Sequence, residues 1–410
     1  MSRAAKEKIK TALIAVLLVT AVLLAQFTGI FGELTEGFKR APAGGASAPI
    51  DDGTVSVEAA RPTVIVVTDA AGARAVAKYD SAAVDTVYER TVSLMGEALS
   101  SADEIRRCPE DEWRQALSRS NVMFEYYNAA PLELIGKWLG AQNGFDVGEL
   151  PVSRLCFAWG GSKLYFQSGD GFYRAETASL GGEVSVAGEY RAENAYQFEL
   201  DADSSAPYLI LTADAHHPTL ITSNPFERTE NTTAILAAFG VDGTQKAGYT
   251  ESDGTQVYVS NVFTVSVSTD GILTYHRSAA TNDSNAIGVV DGVELARVAA
   301  QRVLDAYSGD ARVRFSGASG TGNKLTVTFD YFLAGGRVFL PKSDNAAAVT
   351  ITNGTITEMT LCFRAYAADA ETMLLPERQT LAAGGDFRLG YSDAGGGVAS
   401  PFWYAAEGEK

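Results

Sequence analysis

The chain has 410 residues, 46% of them hydrophobic and 20% charged, so it is long enough to bury a sizeable core in two or three folded units, and wholesale disorder is excluded. A formal net charge of −17, with no basic patch after the first few residues, repels phosphates and anionic headgroups and sets nucleic acid aside as a partner. Three cysteines at wide spacing, Cys108, Cys156 and Cys362, support neither a disulfide framework nor a thiolate zinc site.

Arg3, Lys6, Lys8 and Lys10 precede an uncharged apolar stretch from Thr11 to Phe31, and about twenty such residues span a bilayer as a helix. The basic residues lie on its N-terminal side, which predicts a cytoplasmic N-terminus and an extracytoplasmic remainder. A cleaved signal peptide would have an apolar region of roughly 7–15 residues ending at an A-x-A-like site. Here the run is longer and Ala41-Pro42-Ala43 lies well beyond it, so an uncleaved anchor is expected over residues 1–32. Ala21, Ala25 and Gly29 recur every four residues on one face with Gln26 at its border; small residues at that spacing let a second helix approach, and a nearby amide can bond across the contact.

Residues 33–60, rich in Gly, Ala, Pro and acids, read as a tether. Order is expected to begin with Thr63-Val64-Ile65-Val66-Val67, a buried strand, followed by a helix carrying Val84, Val87, Tyr88, Leu94, Met95, Ala98 and Leu99. Pro109 opens a second short helix bearing Trp113, Val122 to Tyr126 returns to a strand, and Gly160-Gly161 and Asp170-Gly171 mark tight hairpins in a meander. Cys156 and Cys362 fall in apolar strand-like runs, where a thiol behaves as a small buried hydrophobe.

Asn224-Pro225-Phe226-Glu227 starts a helix with Ile235, Leu236 and Phe239 that stops at Gly240. Strands at Gln256 to Val259 and Val262 to Val267 follow, with a turn at Asp270-Gly271 into Ile272 to Tyr275. Asp291 and Glu294 read as a capping box for a helix with Leu295, Val298, Ala299, Val303 and Tyr307. Leu325 to Phe332 turns at Gly335-Gly336, and Val349 to Thr352 turns at Asn353-Gly354 into Thr355 to Thr357. The matching order suggests an approximate repeat, each part a helix on an antiparallel sheet. The expected architecture is α+β: a first domain over 61–225, a central module over 226–288 and a C-terminal module over 289–410.

Candidate chemistry is sparse. His216-His217, between Asp214 and Pro218, reads as a solvated turn without metal-ligand spacing, so no metal or cofactor is expected. The glycine-rich run Gly317 to Gly322 links two strands and reads as a hairpin end, because no helix follows it to cradle a phosphate. Neither a nucleophile elbow nor a Cys–His neighbourhood is present, and no catalytic residue is assigned.

The basic leader ending in Glu7-Lys8-Ile9-Lys10, the phrase Asn224-Pro225-Phe226, the run Gly248 to Val259 and Asp270-Gly271-Ile272-Leu273-Thr274-Tyr275 resemble the YycH family of extracytoplasmic regulators. These act on an essential cell-wall two-component system of Firmicutes. The part from the Glu294 helix to Pro401-Phe402-Trp403 also resembles the partner YycI family. This resemblance implies a membrane-anchored accessory regulator, not an enzyme, that binds a sensor histidine kinase and a YycI-like protein. A structural or polymer-binding envelope protein and an extracytoplasmic hydrolase using paired carboxylates are the alternatives.

Overall fold

A run of β-branched residues without charge needs cover on both sides, and Val64–Thr68, strand β1, is buried along its length. The computed structural model describes residues 57–71, 74–79, 81–141, 150–158, 162–169, 171–178, 216–241, 248–278, 286–321, 323–382 and 387–405. The stretch from Thr11 to Phe31, with Ala21, Ala25, Gln26 and Gly29, lies outside them, as do Gly160-Gly161, Asp170 and Gly322. Among the described residues no helix is long and apolar enough to cross a membrane.

β1 belongs to a seven-stranded antiparallel sheet with β2 (Arg74–Lys78), β3 (Arg106–Arg107), β4 (Asn121–Pro131), β5 (Pro151–Ala158), β6 (Lys163–Ser168) and β7 (Gly171–Glu176), ordered β2-β1-β4-β5-β6-β7-β3. Helix α1 (Ser81–Ser100) covers one face with Val84, Val87, Tyr88, Met95, Ala98 and Leu99. On the other face α2 (Glu110–Leu117), opened by Pro109, presses Trp113 onto Val64, Val66, Met123, Cys156 and Tyr165. Two helices on opposite faces explain why β1 shows no polar alternation. Helix α3 (Leu132–Trp138) leaves the end of β4 directly.

The second sheet is larger, with thirteen strands among the described residues. In chain order these are β8 (His216–Ser223), β9 (Gly248–Thr250), β10 (Gln256–Val259), β11 (Phe263–Val267), β12 (Ile272–Arg277), β13 (Arg312–Thr321) and β14 (Lys324–Leu333). They continue with β15 (Gly336–Phe339), β16 (Ala347–Thr352), β17 (Thr355–Cys362), β18 (Ala365–Met373), β19 (Phe387–Asp393) and β20 (Val398–Ala405). The order is β18-β8-β20-β19-β15-β14-β16-β17-β12-β11-β10-β9, with β13 on the other side of β14, and the β15–β19 pair is parallel. Helices α4 (Thr229–Ala238) and α5 (Val289–Asp305) add Ile235, Leu236, Val293, Ala296, Ala300 and Val303 to a core with Val265, Leu273, Val327, Val349 and Leu361. The opposite face carries polar partners such as Ser266 and Thr274, whose hydroxyls lie 2.5 Å apart. Helix α6 (Glu377–Ala382) follows β18.

The chain is therefore a mixed α/β protein with two predominantly antiparallel sheets and few helices. The hairpins β11–β12 and β16–β17 lie side by side, because β12 pairs with β17 from Ile272↔Cys362 to His276↔Glu358. β8, which ends the 61–225 stretch, is hydrogen-bonded between β18 and β20.

Three local expectations are corrected. Asp291 and Glu294 form no capping box: α5 starts at Val289 with Gly288 as a cap without a side chain, leaving Asp291 in the first turn, where a carboxylate still favours the helix dipole. The buried stripe runs through Val293, Ala296, Ala299, Ala300 and Val303, leaving Leu295 and Val298 only partly buried. Gly317 to Thr321 does lead into the end of the β13–β14 hairpin, but as paired strand rather than loop: it is the distal half of β13, paired with β14 as far as Thr321↔Lys324 across a bulge between Phe315 and Gly317. His216-His217 is not a solvated turn: the pair opens β8, and His217 is 2% exposed, because β18 and Trp403 arrive from far along the chain to cover it.

Candidate functional site

Where β2, α1 and the 3₁₀ turn Val57–Ala60 meet β13 and β14, charged and aromatic side chains join the two sheets. Asp85 on α1 bonds Arg61, and Arg61 also reaches Glu58 Oε1 at 3.0 Å. Arg312 on β13 forks across the seam, to Glu58 at 2.8 Å and Asp85 at 3.0 Å. Two residues on, Arg314 donates to the Arg61 carbonyl at 2.8 Å and lies over the Phe332 ring. Burial, with Arg61 and Arg312 alongside, pulls its guanidinium down to about 10. Asp85, Arg312 and Arg314 line a cleft of about 30 Å³ with Tyr79, Asp310 and Leu333, room for little more than a water or two.

Tyr79, just after β2, takes a left-handed conformation, φ 66°, which aims its ring across the seam. Its hydroxyl donates to Glu377 on α6, which also takes Lys78 Nζ at 2.6 Å. Burial first, then the Glu377 carboxylate, hold the phenol well above its ordinary range. His217 stands edge-on between the rings of Tyr79 and Trp403, at 5.1 and 5.6 Å. Deeper in, Arg388 on β19 donates to the Tyr127 carbonyl at 2.6 Å and covers the Tyr127 ring, which packs on Phe332. At the far end, Trp138 Nε1 on α3 donates to Glu294 on α5, which is forked by Arg297 at 3.0 and 3.1 Å. A single buried apolar cluster runs beneath all these contacts, from Phe124 and Leu155 in one sheet to Val327 and Tyr391 in the other.

Chemically, this arrangement holds surfaces together. Burial pushes the thiol of Cys108 up to about 11, that of Cys362 up to about 12 and that of Cys156 further. None of the three is a thiolate at neutral pH. Among the described residues no cluster of three or more His, Cys, Asp or Glu side chains is arranged to hold a metal ion. Arg297 lies one turn from Glu294 and is a local partner, but Tyr79 and Trp403 around His217, and Trp138 on Glu294, lie over a hundred positions away and nothing local in the sequence signals them.

Two phrases quoted for the family resemblance meet in space. The Asn224 side chain accepts from Phe226 N at 3.0 Å and donates to the Thr269 carbonyl at 3.1 Å, joining the start of the α4 segment to the turn between β11 and β12. The third phrase, Gly248 to Val259, forms the β9–β10 hairpin at the sheet's edge.

No protein-family model matches the chain, and no curated protein matches it in sequence. Among solved structures the chain is similar to YycH from Bacillus subtilis, with a TM-score of 0.52 and 12% identity over 85% of this chain and 94% of that one. The fold is YycH-like.

Proposed function

We propose that the chain is a membrane-anchored extracytoplasmic accessory regulator that binds a sensor histidine kinase and a YycI-like membrane protein, tuning a two-component system that controls cell-wall metabolism. The YycH-like fold across most of both chains carries this reading. The charge pattern around Thr11 to Phe31 supports an N-in, C-out helix, and Ala21, Ala25 and Gly29 with Gln26 supply the face on which a partner helix packs. A seam built from ion pairs and aromatic contacts fits a protein that presents surfaces rather than a reaction centre.

The test is crosslinking in intact membranes, followed by identification of what is captured. A histidine kinase in the captured set is the expected result, and its absence from the wild-type chain's crosslinks would overturn the regulator reading. Replacing both Ala25 and Gly29 with leucine is expected to weaken that capture while insertion persists, each packed position being worth roughly 0.5–2 kcal/mol. Large apolar replacements at Leu17 and Leu24 are the control. Equal capture by both variants would move the contact out of the membrane.

A further inference from the structure

Among the described residues, β9 is the last strand at one end of the large sheet, with no strand on its outer side. Glu251 N donates to Thr255 O at 2.8 Å and Gly254 N to Glu251 O at 3.0 Å, with Gly254 at φ 89°, a three-residue loop closed by a bulged glycine. Glu251 and Thr255 are thus a hydrogen-bonded pair. Because such pairs alternate along an antiparallel ladder, Tyr249 and Val257 form the next one, and the N–H and C=O of Gly248 and Thr250 turn away from β10. No described residue bonds to them.

The other edges are blunted. β2 carries Arg74 and Lys78, β3 is two exposed arginines, β13 is broken by its bulge, and β18 has a register shift between Ala368 and Glu371 with exposed Asp369 and Glu371. β9 has neither charge nor bulge. Instead, exposed apolar side chains gather at this corner: Tyr249 (57% exposed), paired with the buried Val257, then Val259 (46%) and Val262 (48%).

We propose that this edge is the docking site for an extended, positively charged segment of a partner protein, which adds to β9 as one more strand. The unpaired backbone requires an extended occupant, and Tyr249 and Val259 offer its alternate side chains an apolar bed. Exposed Glu251 and Asp253 at the end of β9 call for Lys or Arg on the added strand. A second copy of the chain is disfavoured, since two bodies of formal charge −17 repel. The assignment rests on the reading that the chain works by binding protein, and names where.

The probe is a ten-residue peptide alternating Lys with Val and Thr, added to the full chain in detergent or bilayer discs. Its binding is followed by fluorescence anisotropy and by amide exchange at Gly248 and Thr250. The peptide is expected to bind and to slow exchange at both amides; a glutamate-for-lysine version and one N-methylated at alternate amides are expected to bind at least tenfold more weakly. Thr250→Pro removes one outward N–H while leaving the Tyr249–Val257 bonds intact, so it should weaken binding at least tenfold with the melting temperature unchanged. Should that variant fail to fold, Tyr249→Ser, which leaves the backbone intact, is expected to weaken binding several-fold. No binding of the basic peptide, or binding indifferent to N-methylation and to both substitutions, would overturn the proposal. Crosslinking of wild-type chain to the kinase judges the regulator reading separately: capture that persists in Thr250→Pro at full strength leaves that reading standing and removes the edge from it.

Discussion

Gly271 shows how little room a turn between strands can leave. At φ 83°, an added Cβ would sit 2.7 Å from Asn224 Oδ1 and 2.9 Å from the Phe363 carbonyl. Gly271→Ala therefore combines left-handed strain with a backbone clash and should cost about 2 kcal/mol or more, read as a lower urea midpoint. Asn224→Ala, which removes a cap and a bridge to Thr269, should cost about 1–2 kcal/mol. Glu125 sets a pH dependence. Burial alone would raise its carboxyl, but Arg154 at 3.0 Å, with Lys78 and Arg388 nearby, outweighs that and holds it below the ordinary range. Its folded pKa lies under its unfolded one, so its contribution is complete above about pH 4.3 and is lost as pH falls through the depressed value. In Glu125→Gln that part of the acid slope of unfolding free energy should vanish.

Helix α5 separates contacts that matter from contacts that merely exist. Glu294 is mostly buried between Trp138 and Arg297, and its removal strands a buried guanidinium, so Glu294→Ala should cost about 3–5 kcal/mol. On the same helix Asp291 pairs with Lys137 in solvent, and Asp291→Ala should stay within about 0.5 kcal/mol; thermal melts of the two variants compare them directly. The sequence displayed α1, α2, α4 and the hairpins at Asp270-Gly271 and Asn353-Gly354 because periodicity, Pro109 and turn glycines act over a few residues. It hid the true start of α5, since Gly288 caps without a side chain. It also hid the burial of His217, whose cover comes from Tyr79 and Trp403. The seam, made of pairs such as Lys78–Glu377 and Glu58–Arg312, has no local signature.

The large sheet ties distant parts of the chain into one unit. Ending the chain at Gly288 removes β17 from β12 and both neighbours from β8, so residues 216–278 should lose cooperative unfolding and exchange their amides freely. Native-like protection there in the truncated chain would contradict this.

The position of β8 also dictates an order of events. A ribosome delivers β8 long before it delivers β18 and β20, so the strand that buries Leu220 and His217 has no ladder partner for roughly ten seconds or more at ~5–20 residues per second. Until β18 is made, the nascent chain carries β8 without a strand beside it. Its yield in the cell therefore depends on whatever shields that segment during synthesis, and changes that slow the arrival of Ala365–Met373 should lower the amount of protein made well before they lower the stability of the finished fold.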